Sequence, residues 1–363
     1  MLKKSIHTLG YTLLLIGFVF ILGIISYQVI GVGIGYSDDI YITFNDFTYT
    51  LILKDIPEAI ITKNIIHNRH DTYYSLSKNE QAIYDSLYVK SKNILTGNDN
   101  DLTLYIGFED FDLDFSNQTV KEVEENINSA LEQINFNKIF YSLRQDYPYY
   151  FWYLYSCGYN YNSPRVIAMD NDFSKSYFEL KINSIYSDDS GKYLDSDELI
   201  MARSAYKNAK QIAENAVEYN IYDKIKYYTN YILNNTAYYH NYDSDSSNKQ
   251  TWSTFISVFD NIDSTLSICG GYSDAFKLLC DLGDVECYLE TGLMNNEYHA
   301  WNEIYINDVT YMIDTTNIDE GAIGQGYKLY LNQASGDEYT FYIHGEAVTY
   351  RKLSLDEMLI ANS

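Results

Sequence analysis

Basic residues are scarce. Lys and Arg together number 25 against 50 Asp and Glu, which leaves a formal net charge of −25. Affinity for nucleic acid comes from Lys and Arg that neutralise phosphates, so a nucleic-acid partner is excluded as a class. Proline is scarcer still, at 3 in 363 residues, whereas tyrosine reaches 40. That bias fits an AT-rich coding background, which also favours Asn, Ile and Lys. Cysteine is limited to Cys157, Cys269, Cys280 and Cys287. None pairs as C-x-x-C, so the spacing of a thiolate metal site is missing. Four cysteines are too few for a disulfide scaffold, and a single bridge, such as Cys157 with Cys287, stays open. No internal repeat is visible. Core material, by contrast, is plentiful. The chain is 46% hydrophobic and 16% aromatic, which excludes bulk disorder. At ~100–200 residues per domain it has room for about two.

From Leu9 to Ile34 no residue is charged, and Leu, Ile, Val and Phe dominate. A transmembrane helix needs about 20 such residues. Lys3 and Lys4 precede the run and Asp38 and Asp39 follow it. The positive-inside rule then keeps the amino terminus in the cytoplasm and puts the bulk of the chain outside. A cleaved signal peptide is the alternative, giving a secreted form. Its apolar region is usually shorter and ends in an A-x-A-like site, which does not follow here. The expected division is a transmembrane signal-anchor over 1–36, a stalk or small strand pair over 37–72, an accessory α+β domain over 73–194 and a chemical domain over 195–363.

Within the accessory region, Ser77-Lys-Asn-Glu80 is a capping box that opens a helix with Ala82, Ile83, Leu87 and Ile94 on one face. Thr119-Val-Lys-Glu122 is a second, followed by Val120, Val123, Ile127, Leu131 and Ile134 at helical spacing. The aromatic run Tyr147–Tyr155 reads as a buried strand after a turn at Pro148. The segment Ser176–Tyr186 alternates like a strand. His67-Asn-Arg-His70 is a weak metal signal, better read as two surface histidines. The acidic loops at Asp188 and Asp195 lack the spacing of a calcium-binding EF-hand. From Asp197, two helices follow, carrying Leu199, Ala202, Ala205, Ala209, Ile212 and Ala216, then Ile221, Ile225, Tyr228 and Ile232.

Ile268-Cys-Gly-Gly-Tyr-Ser-Asp-Ala-Phe-Lys-Leu-Leu-Cys-Asp-Leu-Gly283 reads as a turn and a helix. Tyr272, Ala275, Phe276, Leu279 and Cys280 share its inner side, and Gly283 is placed to end it. Cys269 falls at the helix amino terminus, where unpaired N–H groups and the helix dipole favour a thiolate. Gly270 and Gly271 leave room for a substrate backbone. Downstream, a strand at Glu286–Thr291 leads to Tyr298-His-Ala-Trp-Asn-Glu-Ile-Tyr-Ile306. Asn307-Asp308 suits a two-residue hairpin turn. That turn pairs Ile306 with Val309 and, counting back, Trp301 with Asp314. His299 and Asp314 are then diagonal neighbours on one face, roughly 7–8 Å apart at the backbone. An imidazole and a carboxylate bridge that gap. A thiol, a base and a group that fixes the base's tautomer are the parts of nucleophilic catalysis. Singly, each has a plainer reading: a packed Cys, a half-buried His, an Asp that caps a turn.

Cys269-Gly-Gly-Tyr-Ser-Asp-Ala-Phe, Leu282-Gly283, Thr291-Gly292, His299-Ala-Trp-Asn-Glu-Ile-Tyr-Ile and Ile313-Asp-Thr-Thr316 together resemble the signature blocks of the transglutaminase-like superfamily. The resemblance covers roughly 200–345. It implies an α+β, papain-like core in which a Cys-bearing helix packs on an antiparallel sheet. It also implies Cys269 as nucleophile, His299 as general base and acid, and Asp314 as orienting carboxylate. Thr315 departs from the pattern, since Pro usually follows the Asp. Trp252, Tyr238 and Tyr239 are candidates for the oxyanion donor beyond the Cys269 N–H, and Trp252, Tyr239, Gly270 and Trp301 for substrate contacts. No cofactor is implied, and the Ca²⁺ site of animal relatives has no legible counterpart. The expected activity is extracytoplasmic acyl transfer from a carboxamide or peptide bond of a protein or peptide, cell-wall peptides included. Water as acceptor makes it a peptidase or amidase, and an amine makes it a transglutaminase. The alternative is a non-catalytic scaffold or binding module at the cell surface.

Overall fold

A computed structural model describes, with short breaks, residues 69–107, 111–113, 120–154, 165–169, 172–240, 251–260, 266–318, 332–333 and 338–361, and strands over 32–34, 39–44 and 47–52. Most of the apolar run from Leu9 lies outside the described residues. Its last residues form a strand, β1 (Val32–Ile34), so sheet begins before the expected end of the anchor. Among the described residues no helix is long and apolar enough to cross a membrane.

β1 opens a sheet with β2 (Asp39–Phe44), β3 (Phe47–Ile52), β4 (Thr103–Gly107), β5 (Arg165–Met169) and β6 (Asp172–Lys181), in the order β1-β2-β3-β5-β6-β4. β3 and β5 run parallel. The expected stalk at 37–72 therefore supplies strands to the same sheet as the accessory region. Its helices are α1 (Asp71–Tyr74), α2 (Lys78–Thr96), α3 (Val120–Glu132) and α4 (Phe136–Asp146). The Ser77 capping box is formed. Glu80 N donates to Ser77 Oγ at 3.3 Å, and Ser77 N donates to Glu80 Oε2 at 2.7 Å. Thr119 lies outside the described residues, but α3 begins just after it.

The aromatic run is not a strand. Pro148–Leu154 forms short 3₁₀ turns with a break at Phe151, and all seven residues are buried. A run that is apolar on every side carries no two-residue period, so periodicity cannot tell strand from helix. Tyr147 is pushed out of helical geometry (φ −145°, ψ 55°) by the proline that follows, which ends α4 and starts the 3₁₀ turns.

The second half begins with α5 (Ser196–Glu214), capped by Asp195, and α6 (Ile221–Asn235), capped by Asn220. A short parallel pair, β7 (Ala237–Tyr238) and β8 (Leu266–Ser267), flanks α7 (Ile256–Phe259). Then come α8 (Cys269–Leu282), β9 (Cys287–Met294), β10 (Glu297–Ile306), β11 (Val309–Ile313), α9 (Thr315–Ile318), β12 (Asn332–Gln333), β13 (Glu338–Ile343), β14 (Glu346–Lys352) and α10 (Leu355–Ala361). The sheet order is β12-β11-β10-β9-β14-β13, antiparallel throughout. Both central hairpins turn through two residues at positive φ, Asn295-Asn296 and Asn307-Asp308, residue types that tolerate the left-handed region.

α8 is the central helix. Tyr272, Ala275, Phe276, Leu279 and Cys280 are fully buried. Its end differs from expectation: Gly283 has φ −103°, and the left-handed residue is Asp284 at φ 56°. Gly283 instead lets Tyr228 close in, because a Cβ there would stand 2.1 Å from the phenol oxygen. One hydrophobic cluster runs from Leu76 through Trp152 and α8 to Tyr350, so residues 73–194 and 195–363 share a core. Polar ties cross the same boundary. Arg203 donates twice to the Ile94 carbonyl, at 3.0 and 2.8 Å, and Tyr149 donates to Asp281 at 2.8 Å.

Gly292 marks a tight contact in the second sheet. A Cβ there would meet the Arg351 carbonyl oxygen at 2.2 Å and the Trp301 ring at 2.6 Å. Neither neighbour can yield without parting β9 from β14 or moving Trp301. Gly292→Ala is expected to cost about 1–3 kcal/mol, the range of overpacking. A urea midpoint followed by tryptophan fluorescence measures it, and an unchanged midpoint would refute this reading of the contact.

Candidate active site

Three pieces of chain converge on Cys269. Ile268 is extended (φ −109°, ψ 179°) and offers no side-chain cap to the first N–H groups of α8. The turn is clamped by the Trp252 carbonyl, which accepts from Ile268 N at 3.1 Å and from Ser267 Oγ at 2.9 Å. Gly271 completes the clamp. A Cβ there would lie 2.1 Å from Ser267 Oγ and 2.8 Å from the Trp252 oxygen. Its missing side chain thus makes room for the chain's own backbone, and not for a substrate. Cys269 itself is half-buried.

His299 and Asp314 come from the hairpin. Asn302 pairs with Ile313, the register that places Trp301 opposite Asp314. His299 Nε2 lies 2.8 Å from Asp314 Oδ2, which leaves Nδ1 to face the thiol. Asp314 also caps α9, as its Oδ1 accepts from Asn317 N at 3.1 Å. Strand geometry adds a further donor. The pair that flanks a two-residue turn is hydrogen-bonded, so Ile304, Asn302 and Ala300 turn their N–H groups toward β11. β11 stops at Ile313, opposite Asn302. Ala300 N–H therefore lies past the end of the ladder, and it donates to the Cys269 sulfur.

These contacts set the charges. Burial pushes the Cys269 thiol up, but the hydrogen bond and charge of His299, with the Ala300 N–H, outweigh it and hold the thiol below its ordinary value. Burial would likewise discharge His299. The Asp314 carboxylate and the Cys269 sulfur oppose that and raise the imidazole to about 10. Asp314 is fully buried, which raises a carboxylate, yet His299, Tyr350 and Asn317 bring it below its usual range. All three shifts favour a thiolate–imidazolium pair at neutral pH.

The remaining sequence candidates fall in two groups. Trp252 and Tyr239 are partly exposed, meet edge to face with ring centres 6.2 Å apart, and flank the turn before Cys269. Tyr238 packs against His240, ring centres 5.0 Å apart. Gly270 is buried inside α8. Trp301 is fully buried and stacks beside His299 at 6.2 Å and 20°, so it packs the imidazole from behind and meets no substrate. Sequence reasoning missed Tyr350, Asn317 and the Ala300 N–H. The last was within reach, because it follows from the hairpin register.

A second polar cluster occupies the same sheet face. His70, Glu290 and Glu303 are buried and could jointly ligate a metal ion, their donor atoms lying within 4.8 Å of one another. The Lys352 ammonium already supplies the positive charge there, at 3.0 Å from Glu290 and 3.3 Å from Glu303. His70 is thus no surface histidine. Its Nε2 lies 3.1 Å from Glu290 Oε1, and its Nδ1 accepts from Thr72 N to cap α1. His67, its partner in the sequence motif, lies outside the described residues, as does Cys157. Cys287 is a free thiol.

No family model matches the chain, and no curated protein matches it. Among solved structures, it is similar to a TGase, with 16% identity over 50% of this chain and 49% of that one, at a TM-score of 0.30. It is also similar to a cysteine-protease candidate from Cytophaga hutchinsonii, with 18% identity over 44% of this chain and 56% of that one, at a TM-score of 0.25. The chain thus spans about half the length of these two solved structures.

Proposed function

We propose that the chain is a thiol acyl-transfer enzyme acting on a carboxamide or peptide bond. One observation carries the proposal: an imidazole fixed 2.8 Å from a buried carboxylate also holds the sulfur of a cysteine that begins a helix. The Cys269 thiolate attacks the carbonyl carbon, and the C=O electron pair moves onto oxygen. The Cys269 N–H at the start of α8 faces that oxyanion. When the C–N bond breaks, the His299 imidazolium gives its proton to the departing nitrogen, which leaves as ammonia or an amine. His299, now neutral, takes a proton from the acceptor as it attacks the thioester. The Cys269 sulfur then departs as thiolate. Trp252 and Tyr239 flank the approach to the thiol, where substrate contacts are expected.

Location is part of the proposal. The uncharged run from Leu9 to Ile34 behind Lys3 and Lys4 supports a membrane anchor with the domain outside the cytoplasm. A protein or peptide substrate there would be neutral or cationic, since the chain carries a net charge of −25.

The charge state is the first test. In the wild type, iodoacetamide is expected to alkylate Cys269 rapidly at pH 6, ahead of Cys280 and Cys287. The sign follows from the two shifts: His299 and the Ala300 N–H lower the Cys269 thiol against burial, so it ionises ahead of the buried Cys280, whose thiol is raised, and His299 keeps its proton until about pH 10. In His299→Ala the thiol returns toward ~8.5, and the rate at pH 6 drops, by up to about two orders of magnitude. Slow labelling that ignores His299 would refute the enzyme reading and leave a binding scaffold.

Turnover separates the acceptors. A glutamine-containing protein is incubated with the chain, with and without a biotinylated primary amine. Amine incorporation with ammonia release identifies a transglutaminase. Ammonia or new amino termini without incorporation identify an amidase or peptidase. Either product should vanish in Cys269→Ser, and turnover should fall on the alkaline side as His299 loses its proton near pH 10.

A further inference from the structure

Asp314 is held by more than its partner in the triad. It follows the last residue of β11, where the backbone leaves the sheet for α9. Its Oδ2 accepts from His299 Nε2 at 2.8 Å, from Asn317 Nδ2 at 2.5 Å and from Tyr350 Oη at 2.7 Å. Tyr350 lies on β14, opposite Met294, and is fully buried. Its ring packs on His299 and on Trp301, with ring centres 5.7 and 5.6 Å away. Asn317 Nδ2 also donates to the phenol oxygen. An amide nitrogen can only donate, so the phenol accepts there and its single proton is committed to Asp314.

We propose that Tyr350 is a positioning residue that locks the Asp314 carboxylate in the rotamer where Oδ2 meets His299. Asn317 alone cannot do this. It sits three residues along the same chain turn and moves with Asp314, whereas Tyr350 is anchored in a separate strand. The ring adds a second restraint, because it packs against the imidazole that the carboxylate holds. What the positioned imidazole is for rests on the enzymatic reading; the positioning itself does not.

A hydroxyl on a carboxylate can have two effects, and they differ in sign. If Tyr350 merely draws charge from a carboxylate that others hold in place, its loss strengthens the pull on the imidazole and raises the His299 pKa. If it positions the carboxylate, its loss lets Oδ2 swing off Nε2, and the pKa falls.

The test is a histidine-selective ¹⁵N NMR titration of the full chain, run alongside iodoacetamide labelling of Cys269. His299 is assigned by the signal lost in His299→Gln. In Tyr350→Phe, the imidazolium-to-imidazole ratio at a fixed alkaline pH should fall about tenfold, one pKa unit. The acid limb of Cys269 labelling should move to higher pH. Replacing Tyr350 by 4-aminophenylalanine, which restores a donor, should recover both. An unchanged or larger ratio in Tyr350→Phe overturns the proposal, even if the variant is less stable. A wild type whose Cys269 does not react, but whose His299 responds to Tyr350→Phe as expected, would overturn the enzymatic reading and leave the positioning role standing.

Discussion

Everything at the site depends on keeping a carboxylate ionised with no solvent around it. Asp314 is fully buried, and an unpaired charge there would be strongly destabilising. Four donors offset that cost: His299 Nε2, Asn317 N, Asn317 Nδ2 and Tyr350 Oη. They come from a strand, a helix turn and a second strand, so the carboxylate exists in this form only when the sheet is assembled. The charge then propagates outward. An ionised Asp314 favours the protonated form of His299, and a protonated His299 favours the thiolate form of Cys269. The sulfur lies nearest to solvent, so the reactive end of the chain of interactions is the accessible one.

Much of this geometry was legible in the sequence because it is local. The hairpin register follows from one turn, Asn307-Asp308, and places Asp314 by counting. The inner face of α8 follows from helical spacing. Ser77 and Glu80 announce a helix start within four residues. What was not legible depends on contacts between distant segments. His70 reads as a surface residue until Glu290, far along the chain, is seen to meet it. Gly271 reads as room for a ligand, whereas its neighbours are Ser267 and Trp252. The run from Tyr147 to Tyr155 failed for a different reason. It is apolar throughout and lacks the contrast between faces that periodicity needs.

Composition marks where loops are dense in Asp and Ser, as at 188–197, but loops do not divide a core. The apolar residues on either side pack into one cluster. The Arg203 and Tyr149 hydrogen bonds carry polar side chains across the same line. The accessory region thus supports the helix that bears Cys269, since Pro148–Leu154 packs against α8.

Two buried charge clusters share one face of the second sheet, and their separation bears on the chemistry. On β10, His299, Trp301 and Glu303 alternate along that face, with Trp301 between the other two. Trp301 pairs with Glu290, and Lys352 pairs with Gly292, which in turn pairs with His299. Glu290 and Glu303 would thus lie close enough to perturb the imidazole if they stood alone. They do not, because Lys352 lies between them and His70 covers Glu290. Burial raises Glu290, but Lys352 and His70 bring it below the usual range, while burial and the adjacent Glu290 raise Glu303. The cluster is largely neutralised within itself, and the Trp301 ring separates it from His299. The imidazole is therefore governed by the groups that touch it, Asp314 and Cys269. Release of the His299 proton in the proposed reaction needs that isolation. Were the carboxylates unpaired, their field would hold the proton on His299 too firmly for it to pass to a leaving group.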